Sequence, residues 1–192
     1  PKQLFDKDLD AIFINNNRFH LEIPSNLGNS PVSVIVFANN NLGGCLPSSL
    51  GNMSGTLNEV IFMNSNLSGC LPSDITQLKN LTVLDVSFNR LVGPLPDSIG
   101  QMVDLEQLDV AHNLLSGNIP QSICGLANLK NFTSSYNFFT GEAPNCLALP
   151  GRQTYFDDKR NCIPGRPAQR SLKQCSAFLS RPGVNCSARS CE

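Results

Sequence analysis

The amino-acid sequence predicts an α/β-type repeat solenoid: a horseshoe with a parallel concave β-sheet and an irregular or 3-10 helical convex side. Three observations predict it. A phrase of the form L-x-x-L-x-L-x-x-N-x-L-x-G-x-I-P returns six times. Its ladder position falls on Asn17, Asn40, Ser65, Asn89, Asn113 and Asn137, in steps of 23, 25, 24, 24 and 24 residues, a spacing at which each turn packs only on its neighbours. Within each phrase the apolar residues alternate, as on a strand with one buried face.

In chain order the copies span 9–24, 32–47, 57–72, 81–96, 105–120 and 129–144, of which 81–96 and 105–120 are the most regular. The inward positions of their strands are Leu9, Ile12, Ile14; Val32, Ile35, Phe37; Leu57, Val60, Phe62; Leu81, Leu84, Val86; Leu105, Leu108, Val110; and Leu129, Phe132, Ser134. The ladder asparagines satisfy backbone groups of the adjoining turn, because an amide both donates and accepts. Ser65 breaks that ladder and replaces it only in part. The solenoid is assigned to residues 1–149, and residues 150–192 to a cysteine-rich cap or hinge. Pro1 stands 23 residues before Pro24. It therefore reads as the closing proline of an earlier repeat, and the chain as the C-terminal part of a longer array.

Strands of adjacent repeats stack about 4.8 Å apart, so equivalent outward positions form columns on the concave face. One column is Phe13, Val36, Ile61, Asp85, Asp109, Thr133. A second is Asn15, Ala38, Met63, Ser87, Ala111, Ser135, and a third is Asn16, Asn39, Asn64, Phe88, His112, Tyr136. Glu59, Glu106, Gln107 and Lys130 lie at strand starts. Phe13, Val36, Ile61 and Met63 form an apolar strip. Asp85, Asp109, Glu106 and Glu59 form an acidic zone flanked by Phe88, His112 and Tyr136. An apolar zone beside a charged one suits protein recognition, and a contiguous exposed apolar strip marks an interaction site.

Charge divides along the chain. Residues 1–149 carry 6 Lys and Arg against 12 Asp and Glu, a net of −6; residues 150–192 carry 8 against 3, a net of +5. An acidic horseshoe argues against nucleic acid, which needs a basic face, and its field would steer a cationic partner. No apolar run reaches the ~18–20 residues of a membrane span.

Eight cysteines point to disulfides and an oxidising compartment. Five N-x-S/T sequons, at Asn52, Asn66, Asn80, Asn131 and Asn185, agree with secretion and glycosylation. Cys45 and Cys70 share the G-C-L-P position of successive repeats, which predicts a bridge between them. Cys124 and Cys146 lie 22 residues apart on consecutive convex turns and suit another. Cys162, Cys175, Cys186 and Cys191 fall in the tail, where three pairings are open. The tail has no His and no C-x-x-C pair, so no metal is expected.

Catalytic chemistry is not assembled. The two histidines, His20 and His112, have no nucleophile implied beside them. Asp85 and Asp109 could form a carboxylate pair, but a charged row on a repeat surface suits binding better. There is no phosphate loop or dinucleotide fingerprint. The sequence is read as a non-enzyme without cofactors.

The L-x-G-x-I-P ending resembles the plant-type leucine-rich repeat, found in receptor-kinase ectodomains, polygalacturonase inhibitors and leucine-rich repeat extensins. The stretches LDAIFINNNRFHLEIPSNLGNSPVSVIVFANNNLGGCLPSSLG (9–51) and NCIPGRPAQRSLKQCSAFLSRP (161–182) are similar to the leucine-rich repeat extensins. That resemblance implies an extracellular, cell-wall protein that binds rapid alkalinization factors, which are basic, cysteine-rich signalling peptides. It also implies a homodimer, and attachment to wall polymers through an extensin module absent from this chain. By position, the peptide would meet Phe13, Asn15, Val36, Glu59, Ile61, Met63, Asp85, Phe88, Glu106, Asp109, His112 and Tyr136. An inhibitor of a wall-degrading enzyme and a receptor ectodomain are the competing readings.

Overall fold

A computed structural model describes residues 2–186. Pro1 and Cys191, on which two expectations rest, lie outside the described residues.

The strands, in chain order, are β1 (Ala11–Phe13), β2 (Val34–Val36), β3 (Glu59–Ile61), β4 (Ser68–Gly69), β5 (Val83–Asp85), β6 (Arg90–Gly93), β7 (Gln107–Asp109), β8 (Leu114–Ile119), β9 (Asn131–Thr133), β10 (Phe138–Glu142) and β11 (Tyr155–Asp157). They form two parallel sheets, β1-β2-β3-β5-β7-β9-β11 on the concave side and β10-β8-β6-β4 along the flank. Register is kept across the concave sheet: Ile12, Ile35, Val60, Leu84, Leu108, Phe132 and Phe156 face one another in sequence. These residues join the continuous core, which runs through every repeat.

In five of the six repeats the proline ends the lateral segment and starts the convex turn; in the sixth, Pro144 is itself the first helical residue, after Ala143. Pro24, Pro47, Pro72, Pro96 and Pro120 all sit in extended conformation immediately before a short helix. Proline suits this place because its φ is preset and its missing N–H is an orphan there anyway. Four of the helices are 3-10, and the fifth is α1 (Gln121–Cys124).

The ladder does its predicted work in the buried repeats. The Asn137 Nδ2 donates to the carbonyls of Val110 (2.9 Å), Ser134 and Ser135, and its Oδ1 accepts from the Leu115 N–H. Asn89 and Asn113 repeat this pattern. Ser65 keeps part of this pattern, its hydroxyl shared between the carbonyls of Phe37 at 2.9 Å and Met63 at 3.3 Å. Its short side chain supplies no acceptor to the previous turn, where the Gly43 N–H turns to the Ser65 carbonyl instead (3.2 Å).

The solenoid continues past residue 149, into the segment the sequence assigns to the cap. β11 pairs with β9, and Asn161 adds another ladder rung, accepting from the Phe139 N–H and donating to the Ser134 carbonyl. After that rung the chain reverses. Helix α2 (Leu172–Leu179), closed by a reciprocal cap between Ser171 and Gln174, packs on β10 through Phe178 stacked on Phe138 at 3.6 Å.

The disulfides correct two expectations. Cys70 pairs with Cys186, across 116 residues, and not with Cys45. The reason lies in the next repeat. Gly93 holds φ of 82°, and a Cβ there would stand 2.4 Å from the Cys186 sulfur. The missing side chain opens a slot in which the returning tail meets Cys70. Cys45 is itself disulfide-bonded. The tail cysteines therefore do not pair only among themselves: Cys162 joins Cys175, while Cys186 returns to the repeats. Cys124–Cys146 forms as spaced, with Cα atoms 4.9 Å apart.

Candidate functional site

The concave sheet places the predicted columns as read, because each strand pairs its third residue with the third residue of the next. Phe13, Val36, Ile61, Asp85, Asp109 and Thr133 form one row, and β11 extends it by Asp157. Phe13 is 63% exposed; Val36, Ile61 and Met63 are half-buried. The second column is less open than its pattern implies. Ala38, Ser87, Ala111 and Ser135 are buried, since small side chains sink between larger neighbours, and only Asn15 and Met63 keep partial exposure.

The third column has a feature that no periodicity reveals. Asn16, Asn39, Asn64, Phe88, His112 and Tyr136 all adopt left-handed backbone, with φ between 52° and 59°. Asparagine and histidine are enriched in this conformation; for Phe and Tyr it is uncommon. The asparagines join by side-chain hydrogen bonds, Asn39 to Asn16 at 2.8 Å and Asn64 to Asn39 at 2.9 Å. The rings stack instead: Phe88 on His112 at 4.0 Å and His112 on Tyr136 at 4.1 Å, with planes within 12° of parallel. Phe88 and Tyr136 remain exposed.

Beside the rings lies the acidic row. The Asp109 carboxylate accepts from the Ala111 N–H, and that of Asp85 accepts from the Ser87 N–H and hydroxyl. Burial pushes the Asp109 carboxyl up to about 6; the Ala111 bond pulls it down, and the charges of Asp85 and Asp157 push it up further. Burial, then the nearby charge of Arg170, hold the His112 imidazole below its usual value. Glu106 contributes less free charge than expected, because Lys130 pairs with it at 2.7 Å. Glu59 stands half-buried at the start of β3.

Two residues of this face escaped the sequence reading. Asp157 and Tyr155, which is 58% exposed, both lie on β11. The 24-residue step from Asn137 to Asn161 was the available signal, but the apolar pattern before it is degraded. Among the described residues no cluster of His, Cys, Asp and Glu has the form of a metal site.

Known proteins resemble the chain in sequence and in fold. The Leucine Rich Repeat family matches residues 80–102 and 104–126. Over 98% of its length the chain is 70% identical to leucine-rich repeat extensin-like protein 2 of Arabidopsis thaliana, covering 24% of that protein. Over 100% of its length it is 71% identical to leucine-rich repeat extensin-like protein 3 of the same organism, again covering 24%. The chain thus spans about a quarter of the length of these relatives. The fold is similar to that of the plant peptide hormone receptor RGFR1 in complex with RGF2, with a TM-score of 0.76 and 29% identity over 80% of this chain and 24% of that one.

Proposed function

We propose that this chain, which belongs to the leucine-rich repeat extensin-like family, is an extracellular cell-wall module whose concave face binds a basic, cysteine-rich peptide of the rapid alkalinization factor class, and so regulates wall integrity and growth. The observation that carries this reading is the pair Asp85–Asp109, continued by the Lys159-paired Asp157 and set beside stacked exposed rings on one continuous face. A folded cationic peptide finds there a charge to steer it and aromatic surface to hold it. The apolar residues Phe13, Val36, Ile61 and Met63 extend the contact toward β1. The solved receptor of similar fold, itself in complex with a peptide hormone, supports a peptide as the kind of ligand.

Calorimetric titration of the secreted chain with a folded rapid alkalinization factor peptide tests this. Tight binding that is lost in the double variant Asp85→Lys, Asp109→Lys, and that weakens steeply with salt, is the expected result. Binding indifferent to both changes would move the site to the apolar strip, and absence of binding would sink the reading. Self-association of the repeat domain belongs to the same proposal, with light scattering as its check. Glycan on half-buried Asn131, at the start of β9, would narrow the last repeats of the groove.

A further inference from the structure

Past β11, two arginines stand at the end of the left-handed column. Arg160 occupies the position after Asn64, Phe88, His112 and Tyr136 in the left-handed column, with φ of 57°. The returning chain then brings Arg170 beside it: the Arg160 N–H donates to the Ala168 carbonyl at 2.9 Å and the Arg170 N–H to the Asn161 carbonyl at 2.8 Å. Arg170 is held in place from two directions. Its Nε donates to the Asn137 carbonyl at 2.7 Å, next to Tyr136, and its guanidinium lies 4.2 Å over the Phe138 ring. Among the described residues neither arginine is ion-paired, whereas Arg166 nearby is paired twice.

We propose that Arg160 and Arg170, with Tyr136 at their edge, form a carboxylate-binding subsite that closes the C-terminal end of the peptide groove. A guanidinium presents parallel N–H donors that match a carboxylate, and Arg170 is already oriented, so little side-chain freedom is lost on binding. The two charges disfavour each other: burial and then Arg160 lower the Arg170 pKa. An incoming anion relieves that repulsion. The subsite rests on reading the groove as a peptide site, and it sharpens that reading. Asp157 continues the row of Asp109 two strands on, and Arg160 stands three residues further along, so Asp109 and Arg160 are about 10 Å apart in each direction, about 14 Å in all. That matches about four residues of extended peptide. The ligand therefore carries a basic side chain about four residues from a carboxylate and runs obliquely across the strands.

The test uses the full disulfide-bonded chain and N-acetyl-Lys-Gly-Gly-Gly, offered with a free C-terminal carboxylate or as the amide. The arginine Nε–Hε resonances are followed by NMR. The free acid should move the signals of Arg160 and Arg170 and bind about tenfold tighter than the amide. Arg160→Gln, an exposed position, should erase that difference without changing the melting temperature. Equal affinity of acid and amide, or arginine signals unmoved by the acid, would overturn the subsite. A third probe, N-acetyl-Lys-Gly-Gly-Glu amide, carries only a side-chain carboxylate. A response to it as strong as to the free acid identifies a general carboxylate subsite, and no response identifies a reader of chain ends. Failure of the cysteine-rich peptide to bind, with the acid probe still effective, would remove the larger proposal and leave this one.

Discussion

Asn39 and His112 occupy the same place in their repeats, with φ of 56° and 53°, yet one belongs to a chain of amides and the other to a stack of rings. The amide half of the concave face is cheap to build, since asparagine accepts left-handed backbone and each side chain bonds its neighbour. The ring half holds Phe88 and Tyr136 in a conformation that such residues adopt uncommonly, and the surrounding ladder keeps them there. Strain of this kind gathers where a surface has a task. The same halves differ beneath the surface. Ser65 interrupts the rungs of the amide half, where half-buried Asn40 still bridges repeats; Asn89, Asn113, Asn137 and Asn161 are buried and bridge repeats without a break. The half that carries charge and strain also has the firmer ladder.

The largest test of that contrast is the ladder itself. Asn137→Ala strips three carbonyls and one N–H of buried partners and should cost about 3 kcal/mol or more, whereas Ser65→Ala, which loses a single hydroxyl donor, should cost about 1 kcal/mol. Equal losses in urea unfolding would erase the distinction. The next test is pH. Because Asp109 is raised to about 6 from 3.8, its contribution to stability is full below about pH 4 and is lost as pH rises through about 6. Asp109→Asn should therefore gain on the parent by about 1 kcal/mol between pH 4 and 7, after allowance for solvent screening, read as the difference between the two melting temperatures. Glu142, also raised to about 6 by burial and by Asp158, should retain its own dependence in that variant. Capture of a cation needs ionised Asp109, so peptide affinity should fall as pH drops through the same range. In the amide half, Asn39→Ala should cost about 1 kcal/mol through left-handed strain, and Asn39→Gly, the smallest effect, less.

The face columns and core rows were legible because both follow from one period and one alternation, which backbone pairing enforces. Cys124–Cys146 was legible for the same reason, since neighbouring turns stack. Cys70–Cys186 was not. It depends on where the tail travels after Asn161, and that is decided by Phe178 meeting Phe138 and by the slot at Gly93, contacts that no repeat spacing encodes. Asn161 and Asp157 kept the period but lost the leucines that made it visible. The ring stack was present as a column, while its left-handed backbone belongs to a turn that tolerates many side chains.

The Cys70–Cys186 bridge has a mechanical consequence. It fastens the returning chain to the flank of the third repeat described, far from the last one. Any segment joined beyond residue 186 would pull from the side of the array. Tension would then be carried across the lateral strands as shear, sparing the terminal rung from being peeled away, and the concave face would keep its curvature under load.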